Sequence, residues 1–173
     1  MKKVLLIMCL MIHCIIVSAQ NLRFKGIDMT DKTCFWVEKT LKDDMGCKFK
    51  TLDGSVKVFS GSYAGRNVAI GVCSPMKAYD PASQIEKIIV FVEDINSWTE
   101  AELAFSNLKD ALISKFGKPF SETSTNSIWL DSKTSIFLTI NGGGVAISFG
   151  NDVQAKKAEI EHKKQLQSQN DDM

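Results

Sequence analysis

The side chains that ordinarily carry chemistry are sparse in this chain. There are two histidines, His13 inside an apolar N-terminal run and His162 inside a polar C-terminal stretch. Nucleophilic catalysis by a Ser-His-Asp or Cys-His arrangement needs an imidazole held in a walled pocket, which neither position offers. Zinc sites built from His and Cys clusters are missing for the same reason. Cys34, Cys47 and Cys73 show no CxxC or CxC spacing, so neither a redox pair nor a metal knuckle is signalled. We read them as buried thiols acting as small hydrophobes. A Cys47–Cys73 or Cys34–Cys73 bridge stays open. Cys34–Cys47 does not, because a helix over residues 34–45 separates its ends by ~16 Å, beyond the ~7 Å between Cα atoms that a disulfide spans.

Adjacent acids remain. Asp43-Asp44, Glu93-Asp94 and Asp171-Asp172 are carboxylate pairs of the kind used in glycoside hydrolysis or calcium binding. Each also has a plainer place, on a helix surface, at a strand end and in a tail. The Gly-rich runs GSYAG and NGGG lack a following Lys-Ser or Lys-Thr, so they are turns and not phosphate-binding loops. No catalytic residue, metal set or cofactor is therefore assigned. For binding, aromatic and arginine side chains are the usual anchors, and Trp36, Trp129, Tyr63 and Arg66 are the candidates here.

The N-terminus reads MKKVLLIMCLMIHCIIVSAQ: two lysines, a short apolar run, then Val17-Ser18-Ala19. That is the layout of a secretory signal peptide over residues 1–19, with cleavage after Ala19. The apolar run is shorter than the ~20 residues that a membrane-spanning helix needs, so no stable span is expected after cleavage. Cys9 and Cys14 follow Met8 and His13 rather than a small residue, which argues against lipidation. The expected location is the periplasm or the exterior. Removing Lys2 and Lys3 from the chain's 21 basic residues leaves one fewer than its 20 acidic ones. With no basic run and no aromatic-basic interleaving, nucleic acid is not an expected partner.

Residues 20–150 are enough for one domain. After a short strand at Leu22–Phe24, Thr30 or Asp31 caps a first helix with Cys34, Val37, Leu41 and Met45 inward, and with Glu38, Lys39, Lys42 and Asp43 in solvent. From Phe49 to Cys73 the period is two, with strands around Val56–Val58 and Val68–Val72 joined through the SGSYAGRN turn. IEKIIVFV, apolar on both sides, is a central strand. The best-punctuated helix is WTEAELAFSNLKDALISKFGKP. Thr99 and Glu102 have capping-box spacing, Trp98 and Leu103 staple spacing, and Ala101, Ala104, Phe105, Leu108, Ala111, Leu112 and Phe116 form one stripe. Gly117 ends the helix in a left-handed conformation and Pro119 stops its resumption. Strands at Ser127–Leu130, Ser135–Ile140 and Val145–Phe149 follow, the last two joined by a tight Asn141–Gly144 hairpin. Residues 151–173 form a polar helix fraying into a tail.

The order is helix and three strands, twice. Shifting by 71 residues superposes Leu41, Gly46 and Phe49 on Leu112, Gly117 and Phe120. Runs of strands between two helices indicate an α+β fold, a mainly antiparallel sheet with two packed helices. With its FKGI start, GSYAG hairpin, SW-capped helix and KFGKP, the chain resembles small exported proteins of unknown function from Bacteroidales-type bacteria. Its doubled order is similar to the β-lactamase-inhibitor-protein fold and to the outer-membrane assembly factor BamE. Those are binding modules, so the resemblance implies an exported, non-enzymatic binding or envelope-associated role with a protein or envelope component as partner. The alternative is a small carboxylate-dependent hydrolase or carbohydrate-active protein using Glu93 and Asp94.

Overall fold

The structure, a computed structural model, describes residues 22–156 and 160. The expected signal peptide and most of the tail, with His13, His162 and Asp171-Asp172, lie outside them. Helix α1 (Cys34–Asp43) leads into strands β1 (Lys48–Asp53), β2 (Val56–Tyr63), β3 (Arg66–Cys73) and β4 (Lys87–Val92). Helix α2 (Trp98–Phe116) leads into β5 (Ser121–Glu122), β6 (Asn126–Leu130), β7 (Thr134–Asn141) and β8 (Gly144–Asn151). All eight strands join one sheet in the order β1-β2-β3-β4-β8-β7-β6-β5, and every neighbouring pair is antiparallel. The fold is α+β, as the alternation of strand runs and helices requires.

Two four-strand meanders thus meet at a β4–β8 seam, each preceded by one helix. The repeat is helix plus four strands and not helix plus three. β1 is exposed along its whole length and β5 is two residues long, so neither carries the buried alternation that marks a strand in sequence. The positions superposed by the 71-residue shift correspond in space. Leu41 and Leu112 are both buried near the ends of their helices, and Gly46 and Gly117 both take positive φ just beyond them.

One face of the sheet builds the core. In antiparallel pairing, residues opposite one another share a face. Val68–Val92, Ile70–Val90–Ile147–Leu138 and Ile88–Phe149–Ile136 are such rows, and all are buried. Against them lie Cys34, Val37 and Leu41 of α1 and Ala101, Ala104, Phe105, Leu108 and Leu112 of α2. Ala111 does not join that stripe but faces solvent, and Ile113 is half-buried in its stead. Leu22 and Phe24 are core residues without being a strand. Lys25 and Gly26 turn the chain at φ 46° and 85°, and Phe24 packs edge-on to Phe149 with ring centroids 5.1 Å apart.

The helix starts are displaced from their expected positions. Thr33, not Thr30 or Asp31, caps α1 by accepting from the Trp36 N–H at 3.3 Å, while Thr30 bonds Asp28. Ser97 caps α2 by accepting from the Glu100 N–H at 3.2 Å, and Glu100 reaches back to the Asn96 N–H at 2.7 Å. The reciprocal cap therefore begins two residues before Thr99. Trp98 and Leu103 form no buried staple: both are more than half exposed, and the Trp98 indole donates to Glu102 at 2.9 Å. The β2–β3 turn is only Ala64-Gly65, at φ 49° and 77°. Two positive values define the type I′ geometry that matches strand twist, so the flanking Gly61-Ser62-Tyr63 belongs to β2.

Candidate interaction face

The four sequence candidates do not converge. Trp129 is 2 % exposed, and its indole N–H donates to the Gly117 carbonyl at 2.8 Å. It braces the end of α2 from β6 and is not available to a partner. Tyr63 is half-buried in the core, stacked on Phe24 at 5.6 Å and edge-on to Phe149 at 6.4 Å. Burial pushes its phenol up to about 12. Arg66, across the hairpin from Tyr63, pairs with Asp94 at 3.2 Å. Trp36 is 40 % exposed on α1 with the Lys32 ammonium 4.9 Å over its ring. Four strand spacings, ~19 Å, separate β3 from β6, so Trp129 and Arg66 cannot touch one ligand.

Of the described acid pairs, Asp43-Asp44 is exposed at the end of α1 and Glu93-Asp94 is engaged in salt links. Glu93 is held by Lys50 and Asp94 by Arg66, on the rim of a wide-mouthed depression of about 460 Å³ lined also by Lys48, Ser60 and Asn67. Glu38, expected in solvent, is instead 4 % exposed. It accepts from the Tyr79 hydroxyl at 2.6 Å and from Lys57 at 2.7 Å, with Lys42 at 3.6 Å. Burial works to raise its carboxyl, but the Lys57 and Tyr79 hydrogen bonds and the two lysine charges prevail and hold it below the ordinary value. Tyr79 moves the opposite way, raised by burial and by donating to the carboxylate. The site is a buried clasp joining α1, β2 and the loop before β4. The carboxylate, the phenol and the lysines of the clasp are committed to one another.

Cys34, Cys47 and Cys73 are free thiols, all buried. Burial raises each, Cys73 to about 11, so the thiolate that attack or metal binding requires is disfavoured. Among the described residues no three His, Cys, Asp or Glu side chains gather to hold a metal. No described helix is long and apolar enough to cross a membrane.

What the fold does expose is the second face of the sheet. The register places Val58, Gly71, Ile89, Ser148, Phe137 and Ile128 in one row across six strands. The adjacent row is Ser60, Ala69, Phe91, Ala146, Thr139 and Asn126. Neither row contains an ionisable side chain. Phe91 and Phe137 are 47 % and 43 % exposed, and Leu130 one row further is 47 %. α1 and α2 pack on the opposite side, and the helical residues 152–156 begin beside the Ser135 end of this face, where Ser135 donates to Asp152 at 2.8 Å. Isolated exposed apolar residues need no explanation, but two half-exposed phenylalanines within uncharged rows that cross six strands make this face the candidate for binding. Apolar residues at both parities of β4 were the sequence signal for it. IEKIIVFV indicated a middle strand covered on one side by helices and flanked by neighbours, and the covered side is that of Ile88, Val90 and Val92.

Comparison with known proteins found no match: no family model, no curated protein and no solved structure matches the chain.

Proposed function

We propose that this protein is an exported, non-enzymatic binding module that holds a protein partner on the open face of its sheet. One observation carries the reading: two adjacent uncharged rows span six strands, with Phe91 and Phe137 standing out of them. Large aromatics in an uncharged surround are the composition of an interface centre, where they supply contact area at low entropic cost. The titratable groups point the same way. Glu38 is locked in a clasp, Glu93 and Asp94 are paired with cations, and the thiols are buried. The signal-peptide layout of residues 1–19 supports export.

Crosslinking in cells that make the full chain tests this reading. A photoreactive residue replacing Phe137 should give a discrete adduct of higher mass, and the same probe replacing Leu103, on the outer side of α2, should not. Recovery of only uncrosslinked chain from the Phe137 probe would overturn it.

A further inference from the structure

We propose that the partner taken by this face is a second copy of the same chain, packed sheet against sheet. The inference rests on the binding-module reading and names its partner. Three features of the face point to it.

The first is charge. A heterologous partner is usually selected by complementary charges at the interface, and the two central rows contain none. The same lack lets two identical faces meet without juxtaposing like charges. Lys48 continues the second row onto β1 opposite Ser60, and Lys87 lies one row beyond the first, so both charges sit at the margin of the six-strand patch.

The second is relief. On β4, Ile89 and Phe91 form a ridge; β3 beside it presents Ala69 and Gly71, and β8 presents Ala146 and Ser148. A ridge flanked on both sides by small residues is self-complementary, because the ridge of one copy enters the groove of the other as side chains interdigitate between packed sheets. Next to Phe91, over Ala146 and Thr139, the groove deepens into a cavity of about 270 Å³. That is below the ~300–1,000 Å³ of small-molecule sites, so it suits an inserted side chain better than a metabolite.

The third is area. Six strands ~4.8 Å apart and about six residues long cover roughly 500–600 Å² of flat sheet, the two uncharged rows and their flanking Leu130 and Lys87 positions together, which is near the ~600 Å² per partner at the low end of stable interfaces. The closed symmetry of a pair also leaves no sticky face over, as a two-fold contact uses the same patch on both subunits.

The test is sedimentation equilibrium on the purified chain without residues 1–19, alongside Phe91→Glu, Phe137→Glu and Leu103→Glu. Circular dichroism would confirm that each retains the fold. The expected result is twice the monomer mass for the parent and for Leu103→Glu, and a halving of mass for both face variants. A parent that stays monomeric at about 100 µM overturns the inference. So does a dimer that survives both face substitutions. The binding-module reading is judged separately. A monomeric parent whose Phe137 probe crosslinks to a different protein in cells sinks only the second-copy partner, whereas a monomeric parent with no adduct sinks both.

Discussion

At the residue scale, Glu38 shows how a polar side chain can be misplaced by its chemistry and placed by its spacing. It stands four residues after Cys34 and three before Leu41, both fully buried. Helical periodicity alone puts it near the inward stripe, and only its charge suggested solvent. The lysine that neutralises it comes from β2 and the hydroxyl from the loop before β4, neither of which is visible locally. Glu38→Gln keeps the shape but leaves Lys57, itself only 24 % exposed, without its counter-charge. Hydrogen bonds to charged groups contribute about 1.5–3 kcal/mol, so we expect a loss of about 2–3 kcal/mol in urea denaturation. A loss below ~1 kcal/mol would show that water replaces the clasp. The pH dependence follows from the direction of the shift. The folded carboxyl lies below its ordinary 4.5, so its stabilisation is complete above that value and disappears as pH falls through the folded value. Asp131, which burial would raise but which Thr134 and three backbone N–H groups pull down, adds to the same acid loss. Urea midpoints measured downward from pH 6 should fall less steeply in Glu38→Gln than in the parent.

At the scale of elements, the strongly patterned parts were legible and the edges were not. The core of α2, the central position of β4 and the β7–β8 hairpin follow from period, flanking glycines and continuous apolarity. β1 escaped notice because it buries nothing, and β5 because it is two residues long. Of the candidate site, the burial of Trp129 and the pairing of Arg66 with Asp94 were not legible, since both depend on which distant neighbours fold beside them. The end of α2 illustrates a finer limit. Gly117 was expected in the left-handed helical region, but it lies at φ 79° and ψ −170°. That extended, positive-φ region is essentially confined to glycine and costs other residues about 1–3 kcal/mol. A Cβ there would meet no other atom, so Gly117→Ala isolates the backbone cost. Its carbonyl also receives the Trp129 indole. We expect Gly117→Ala to lose about 1–3 kcal/mol in urea denaturation, and Trp129→Phe about 1 kcal/mol from the missing hydrogen bond. If the two act through the same helix end, the double variant will lose less than the sum of the singles.

On the scale of the whole molecule, the doubled arrangement raises the question of whether each half is a unit. The seam argues that it is not. β4 and β8 are each the last strand of a meander, and between them they align Ile88 with Phe149 and Val90 with Ile147, all fully buried. Separated, each half would expose one long apolar edge strand with a full row of unpaired backbone groups, the arrangement that natural sheets avoid. Asn151 closes the seam from below, donating to the Met29 carbonyl at 2.8 Å and the Ile85 carbonyl at 3.1 Å. Both acceptors belong to the first half and the donor to the second, so a buried amide loses its partners if the halves part. Fragments 20–96 and 97–173 should therefore each lack native circular dichroism alone and regain it when mixed in equal amounts. A single cooperative urea transition in the intact chain, lowered by Asn151→Ala without any change in its slope, is the matching expectation. Two separable transitions, or either fragment folding by itself, would mean that the sheet is two domains laid edge to edge. The open face would then be two narrow strips and not the one surface on which binding depends.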